Sequence, residues 1–276
     1  MIDAPYVAPV SSLAGSSPIP FRGAGFLPAD SPKPMLSWIA TMLVLCIWQI
    51  ASLLGWVSPT FLPGPIAILS ALGDLAISGK LWTDVSASLV RILVGWSLGT
   101  LAGLIIGISL ALFAVARSIG VPLISALFPV PKIALLPLFI IWLGIGEGSK
   151  IFTLALAAFF PTAISTYTSI DSVPRNTIRM AQSFGVPIKS IIARVLIPGA
   201  LPGIFSGMRI STALTLIVLV AAEMIGANEG IGAFVILSGT LMRSDQLLAG
   251  VVVLSILGLL IGTGISALDR AFLKWR

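Results

Sequence analysis

The sequence predicts an all-α, polytopic membrane protein with about six transmembrane helices. Of its 276 residues, 57% are hydrophobic and 9% are charged, whereas a typical soluble domain carries about 25% charged residues. The apolar residues fall in blocks of about 20, the length that an α-helix needs to cross a bilayer. So little charge does not cover a water-soluble surface, and the chain is therefore expected to reside in a membrane.

Composition also excludes several classes of chemistry. The chain has no histidine, which removes Ser-His-Asp triads and histidine-based metal sites. Cys46 is its single cysteine, so neither an intrachain disulfide nor a cysteine metal cluster can form. The net charge is +6, but the basic residues lie beside apolar blocks. Membrane orientation and anionic headgroups explain them better than nucleic acid does, and no nucleic-acid partner is expected.

Taken in order, the chain begins with residues 1–34, which are rich in proline and are predicted to form a flexible cytoplasmic tail. They lack the basic start and apolar core of a cleavable signal peptide. Residues 35–276 are predicted to form the transmembrane domain. A short amphipathic segment, residues 66–77, follows the first span. The six candidate spans share a length of about 20 apolar residues and cover approximately residues 35–55, 89–114, 119–145, 150–170, 204–226 and 247–268.

Two of these spans contain features of their own. The third is interrupted by Pro129-Val130-Pro131-Lys132 and again by Pro137. In the second, Gly99, Gly103 and Gly107 form two overlapping pairs of small residues four apart, a spacing that permits close helix approach, although glycine is also simply common in membrane helices. Arg91, near the start of the second span, is expected to extend its side chain to the membrane interface.

The distribution of basic residues predicts the orientation, because cytoplasmic segments of membrane proteins carry an excess of Lys and Arg. With the N-terminus in the cytoplasm, six crossings place the C-terminus there too. Eleven of the 16 Lys and Arg residues then fall on the cytoplasmic side. They are Arg22, Lys33, Arg117, Arg175, Arg179, Lys189, Arg194, Arg209, Arg270, Lys274 and Arg276.

The longest internal polar segment, residues 171–202, is thereby predicted to be a cytoplasmic loop. Pro174 suits the start of a helix and Gly185 suits its C-terminal cap, so a short helix is expected between them. Helical spacing puts Arg175, Arg179 and Gln182 on one face and Met180 with Phe184 on another. Such a helix could dock in a groove of a soluble partner. Alternatively, its basic residues only enforce topology and contact lipid phosphates.

This loop resembles the cytoplasmic signature of permease subunits of binding-protein-dependent ABC importers. From Arg179 it reads Arg-Met-Ala-Gln-Ser-Phe-Gly, then nine residues, then Val-Leu-Ile-Pro ending at Pro198. The family pattern is Glu-Ala-Ala, three residues, Gly, nine residues, then Ile-x-Leu-Pro. Ala181, Gly185 and Pro198 are in register, whereas Arg179 stands where the family often has Glu and Met180 where it has Ala.

The resemblance continues over roughly residues 36–270, and it is to permeases for sulfonates, taurine and nitrate-type anions. The motifs that carry it share their order and spacing with that subfamily, and they are Ser58-Pro59-Thr60-Phe61-Leu62-Pro63-Gly64-Pro65, Leu136-Pro137-Leu138, the stretch from Trp142 to Lys150, Pro198-Gly199-Ala200-Leu201-Pro202 and Ala222-Glu223-Met224-Ile225-Gly226-Ala227.

What the resemblance implies is a type I ABC importer permease in the cell (inner) membrane. It implies two ATPase subunits docked on the loop, a second permease copy forming a homodimer, a periplasmic or surface substrate-binding protein, and surrounding lipid. ATP and Mg would be bound by the ATPase, since the chain has no Gly-x-x-x-x-Gly-Lys-Ser/Thr motif and no cofactor of its own. The residues that it implies for ATPase coupling are Arg175, Arg179, Met180, Ala181, Ser183, Phe184, Gly185, Ile197 and Pro198.

Two ionisable residues lie inside the predicted spans without a topological role. A charge at a helix centre costs about 2.5–3.5 kcal/mol on insertion scales, so it normally faces a cavity or a partner. Lys132, at the break in the third span, is a candidate for attracting an anionic substrate, or it snorkels to an interface. Glu223 could pair with a basic residue of another span, or belong to a gate or translocation pathway.

Two other classes of function remain open at this stage. An intramembrane enzyme would need a nucleophile with a base, or two carboxylates, within the spans, and only Glu223 is available. A secondary transporter driven by an ion gradient would need buried acids for coupling. For an ABC permease the expected substrate is an aliphatic sulfonate or taurine, followed by nitrate, bicarbonate or a pyrimidine vitamin precursor.

Overall fold

The computed structural model describes residues 34–272, and all regular structure within that range is helical. The predicted tail, apart from its last residue, lies outside the described residues, as do Lys274 and Arg276. The helices are, in chain order, α1 (Pro34–Leu53), α2 (Pro65–Ile77), α3 (Lys80–Leu112), α4 (Ala114–Leu127), α5 (Leu136–Leu143), α6 (Glu147–Asp171), α7 (Arg175–Ser183), α8 (Ile188–Ile191), α9 (Ile197–Gly226), α10 (Ile231–Thr240) and α11 (Ser244–Phe272). The chain divides into two units between Ile47 and Trp48, within α1, and helices α2 to α11 all belong to the second.

Among the described residues, five helical segments are long and apolar enough to cross a membrane, and a bent pair brings the number to six. The pair is α4 with Lys132–Leu143, which begins as a 3₁₀ turn and continues as α5; its halves meet at 89°. This is the span that the sequence predicted to be broken. Proline causes the break, because it lacks an N–H and disfavours helix in the residue before it.

Two helix starts differ by seven or more residues from the sequence prediction, and one helix was not predicted. Helix α3 begins at Lys80, nine residues before the predicted span, because Lys80 and Asp84 pair within its first turns. Helix α9 begins at Ile197 rather than near residue 204 and continues a helical segment from Ile188. The ten-residue helix α10 was not predicted at all.

Helix α6 is the centre of the packing and is flanked by α3 and α9. The glycine stripe predicted for close approach lies on the α3 side. A Cβ atom built on Gly99 would stand 2.0 Å from the carbonyl oxygen of Ala155, and one on Gly103 would stand 2.7 Å from that of Phe159. The backbones of α3 and α6 therefore touch, and the glycine pairs serve packing within one chain.

Helix α9 approaches the opposite side of α6 in the same manner. A Cβ atom on Gly203 or Gly207 would meet the Ser169 or Ser165 side chain at 2.1–2.2 Å. Beyond these contacts, towards the start of α6, Leu154 of α6 and Leu219 of α9 are fully buried in an apolar cluster that also includes Ile92 of α3. Small residues thus bring three spans together, and branched apolar residues fill the space that remains.

We expect Gly99→Ala to lower the melting temperature of the detergent-solubilised protein, measured by intrinsic fluorescence. The added methyl group clashes with backbone rather than with a flexible side chain, and overpacking of this kind costs about 1–3 kcal/mol. Gly73→Ala is the matched control, because no atom lies within 4 Å of its Cβ position and alanine favours a helix by up to about 1 kcal/mol. An unchanged melting temperature for Gly99→Ala would contradict the α3–α6 contact.

Candidate functional site

The predicted coupling helix is present as α7, a nine-residue helix that follows directly from the end of α6. Gly185 has φ +70°, a left-handed conformation that glycine adopts without steric cost. Its N–H donates to Gln182 O at 2.9 Å, and the N–H of Val186 donates to Ala181 O at 3.1 Å. These two bonds form a Schellman cap, so the helix end at Gly185 that the sequence predicted is confirmed.

The faces of α7 divide the predicted coupling residues into an inner and an outer set. Ile178 packs against the apolar cluster around Ile170, Leu196 and Ile204 and thereby anchors the helix. Ala181 is half-buried, and the Ser183 hydroxyl donates to Met180 O at 2.8 Å. The outer set is exposed and consists of Arg175, Arg179, Met180, Ser183 and Phe184.

Ile197 and Pro198 lie apart from α7, at the start of α9, and are half-buried. The segment before them, Ile192–Leu196, is a π-helical turn. Pro198 has no N–H to donate to the carbonyl of Arg194, and the wider turn accommodates that missing bond. The structure therefore places these two residues in the first turn of α9 and not on α7.

At the other end of the helices, Glu223 lies in a network of charged groups, of which Glu147 is exposed and Arg91, Lys150 and Glu223 are buried. The Glu223 side chain is 0% exposed, and Arg91 Nη1 of α3 donates to its Oε1 at 2.7 Å. The same guanidinium forms two hydrogen bonds with Glu147 at the start of α6, at 2.5 and 2.8 Å. Lys150 also donates to Glu147, at 3.1 Å. One arginine thus joins α3, α6 and α9.

This network also caps the beginning of α10. The N–H of Gly232 donates to Glu223 Oε2 at 2.8 Å, that of Ile231 to Ser88 Oγ at 2.9 Å, and that of Gly230 to Asp84 Oδ1 at 3.0 Å. Ser88 in turn donates to Glu223. Three N–H groups that a helix start leaves without intrahelical partners are therefore satisfied by carboxylates and a hydroxyl, which the helix dipole also favours.

The expected position of Arg91 at the membrane interface is wrong. Arg91 is 4% exposed, because two carboxylates hold it inside the protein. Of the alternatives for Glu223, the structure shows the pairing with a basic residue of another span. A sequence signal for this site was available. Asp84, Ser88 and Arg91 are spaced four and three residues apart, so they share one face of a helix that is mostly apolar.

Lys132 lies at the corner between α4 and the segment that leads into α5. Its ammonium group donates to the carbonyl oxygens of Phe128 and Leu127, the last residues of α4 and its cap, and the Leu127 distance is 3.4 Å. Nζ also lies 5.1 Å from the ring centre of Phe128 and 4.7 Å from that of Phe160 in α6. Lys132 and Glu223 share no partner, so the structure does not combine them into one site.

Two further ion pairs lie at the α7 end of the helices. Arg117 of α4 pairs with Asp171, the last residue of α6, and stacks over Tyr167 at 5.1 Å. Arg209 of α9 pairs with Asp269 of α11. Asp171 is only four residues from the first residue of α7, so the Arg117 pair ties the base of α7 to the broken span.

Comparison with known proteins decides the family of this chain. Residues 99–275 match the family model described as "Binding-protein-dependent transport system inner membrane component". The chain belongs to this family. It is therefore a multi-pass inner-membrane component of a transport system that depends on a binding protein, and the predicted permease class is confirmed. The segment that matches includes α7, the break at Lys132 and Glu223.

Curated relatives narrow the comparison. The permease is 39% identical to "Taurine transport system permease protein TauC" of Escherichia coli (strain K12), a match that spans 86% of this chain and 88% of the relative. It is 35% identical to "Putative aliphatic sulfonates transport permease protein SsuC" of the same organism, over 86% and 90%. It is 32% identical to "Formylaminopyrimidine transport permease protein ThiX" of Halalkalibacterium halodurans, over 85% and 93%.

A solved structure supports the fold. The permease superposes on a chain of the structure titled "Inward facing conformations of the MetNI methionine ABC transporter: CY5 SeMet soak crystal form" with a TM-score of 0.58 and 23% identity. The match covers 68% of this chain and 94% of that one. The predicted fold class, a type I ABC importer permease, is confirmed. Its relatives are transport permeases, not enzymes.

We expect Arg91→Leu to destabilise the permease strongly, by about 3–5 kcal/mol, because it leaves the buried Glu223 carboxylate without its cation. The measurement is the melting temperature in detergent. Adding Glu223→Gln to Arg91→Leu removes the unpaired carboxylate charge and should restore part of the lost stability. The exposed Arg243→Leu serves as the control and should change stability by less than about 0.5 kcal/mol. A double variant less stable than Arg91→Leu alone would contradict the assigned pairing.

Proposed function

We propose that this permease imports a small organic sulfonate, with taurine or an alkanesulfonate as the expected substrate. Relatives named for taurine and aliphatic sulfonates, at 35–39% identity over most of the chain, support this substrate class. The relative named for formylaminopyrimidine, at 32% identity, supports a pyrimidine precursor as the second candidate. Nitrate and bicarbonate follow as small anions of similar charge.

The proposed assembly contains two copies of this chain, two ATPase subunits and an external binding protein that delivers the substrate. ATP and Mg would be bound and used by the ATPase subunits. The α7 end would face the cytoplasm, with both chain termini on that side, in agreement with the excess of basic residues there. Lipid would cover the exposed apolar surfaces that the second copy does not.

The proposed docking of the ATPase subunits rests on the outer surface of α7. Met180 is 61% exposed and Phe184 is 80% exposed, and both stand beside the exposed Arg175 and Arg179 on a helix with a fixed end. Lipid phosphates would account for the arginines alone. Two large apolar side chains at a polar loop are better explained by a protein groove, because burying each gains about 1.5–3 kcal/mol.

The connections of α7 support a mechanical role. Ile178 anchors it in the cluster shared by α6 and α9, and Asp171 links its base to α4 through Arg117. When ATP draws the two ATPase subunits together, a docked α7 would carry that movement into these three helices. The packed helices would move as rigid bodies, and the broken span would change its position relative to them.

We expect Phe184→Ala to weaken ATPase retention at least tenfold, which corresponds to about 1.4 kcal/mol. The test is co-purification of the cognate ATPase with the detergent-solubilised permease, followed by measurement of hydrolysis. Phe61→Ala is the matched control, because Phe61 is equally exposed, at 80%, but lies outside α7. Equal ATPase retention by both variants would show that α7 is not the docking helix.

The substrate is tested in the assembled transporter reconstituted in liposomes. We expect the cognate binding protein loaded with taurine or an alkanesulfonate to stimulate ATP hydrolysis, and Phe184→Ala to abolish that stimulation. The same ATP hydrolysis is measured with the empty binding protein and with the binding protein mixed with a formylaminopyrimidine. Stimulation by the pyrimidine and not by any sulfonate would overturn the proposed substrate class while leaving the ATPase partner in place.

A further inference from the structure

We propose that the corner at Lys132 is a binding site for the anionic head of the substrate on its way through the membrane. The proposal rests on the proposed function for the identity of that substrate, a small sulfonate. The site consists of the Lys132 ammonium group and the adjoining cavity between the broken span, α6 and α9. Neither the family membership nor the names of the relatives assign a role to this corner.

The first argument is the depth of the site. The cavity is lined by Ala157 of α6 and by Leu214, Ile217 and Val218 of α9. Ala157 lies eleven residues into the 25-residue α6, and Leu214 lies 18 residues into the 30-residue α9. The cavity therefore lies at the middle of α6 and well inside α9, away from the ends of both helices, where a charge is costly and is normally retained for a role.

The second argument is that the charge of Lys132 is not neutralised. Arg91 and Arg209, the basic residues in the interiors of α3 and α9, each have carboxylate partners. Among residues 34–272, Lys132 has only two carbonyl oxygens and the faces of two aromatic rings.

Capping the last carbonyls of a helix is a favourable structural role for a lysine. It uses two of the three ammonium hydrogens and leaves the charge without a counter-ion, which an anion would supply.

The third argument is the chemistry of the cavity. Its volume is about 260 Å³, well above the ~10–15 Å³ that a cavity needs to hold one water molecule. Apart from Lys132, its walls are apolar or proline, and they include Phe128, Val130 and Ile133. An aliphatic sulfonate has the complementary form, with a short apolar chain and one anionic head. Two larger cavities, of about 570 and 440 Å³, have no charged residue in their lining.

A break in a membrane-spanning helix favours a ligand site, because it leaves backbone groups without helical hydrogen bonds. Backbone groups that leave helical hydrogen bonding at membrane depth are tolerated where they line a cavity that admits water or polar ligands. The 89° corner frees the last carbonyls of α4, and Lys132 covers them. A sulfonate that binds the ammonium would compete with these carbonyls, so substrate passage and movement of the broken span would be coupled at one residue.

The test uses two thiol reagents of similar size and opposite charge, 2-sulfonatoethyl and 2-(trimethylammonium)ethyl methanethiosulfonate. The label is placed by Val130→Cys in a Cys46→Ser background, since Cys46 is the single native cysteine. Reaction rates are measured in the assembled transporter, both without nucleotide and with ATP and vanadate. The ratio of the anionic to the cationic rate reports the local potential independently of how reactive the thiol is.

We expect the anionic reagent to be favoured at Val130→Cys and this preference to fall at least tenfold when Lys132→Gln is added. Taurine or an alkanesulfonate should slow the labelling, and Lys132→Arg should retain the preference. Ile145→Cys, at a side chain that is 85% exposed in the turn before α6, is the control, and its ratio should not respond to Lys132→Gln.

Three outcomes would overturn the proposal. The first is that neither reagent labels Val130→Cys in either nucleotide state. The second is that Lys132→Gln leaves the ratio of the anionic to the cationic labelling rate unchanged. The third is that labelling slows with the anionic lipid content of the liposomes but not with added sulfonate. This third outcome would show that the Lys132 ammonium group binds a lipid headgroup and not the substrate. The rate ratio requires no knowledge of the substrate, so its failure leaves the proposed function standing. If the sulfonate-loaded binding protein does not stimulate ATP hydrolysis but the labelling-rate ratio still depends on Lys132, the proposed sulfonate import is rejected and the anion site at Lys132 is not.

Discussion

The structure depends on the close contact of three helix backbones, with α6 between α3 and α9. There is no room for a side chain at Gly99 or Gly103 against α6, and Gly203 and Gly207 press on serines from the other side. In a membrane the hydrophobic effect does not drive helices together, because lipid is as apolar as their side chains. Close van der Waals contact must provide the stability instead, and small residues make that contact possible.

This contact fixes what lies at each end of the three helices. At one end it brings Arg91, Glu147 and Glu223 within hydrogen-bond distance. The buried charges of Arg91 and Glu223 are acceptable only when they are paired. At the other end it creates the apolar cluster in which Ile178 anchors α7. The packed centre thus connects an ionic network at one end with the exposed helix α7 at the other, and the broken span lies beside them.

Much of this organisation was predictable because it follows from local rules. Block length indicated the spans, prolines marked the break before Lys132, and Gly185 marked the end of α7. The prediction for Arg91 was wrong because periodicity shows which residues share a helix face but not what faces them. The partners of Arg91 are 56 and 132 residues away in the chain. Helix α10 was missed since its start is stabilised by Asp84, Ser88 and Glu223, groups remote in sequence.

The sequence by itself determined the membrane class, the family and the position of the short helix α7, since these follow from composition, from motif spacing and from the placement of proline and glycine. Only the tertiary structure decided which face of α7 is outward, that the α3 glycines pack against α6, and that Glu223 has a counter-charge whereas Lys132 has none among residues 34–272. The physical reason is that burial and charge pairing are properties of contacts between distant segments, and no local pattern in the chain encodes them.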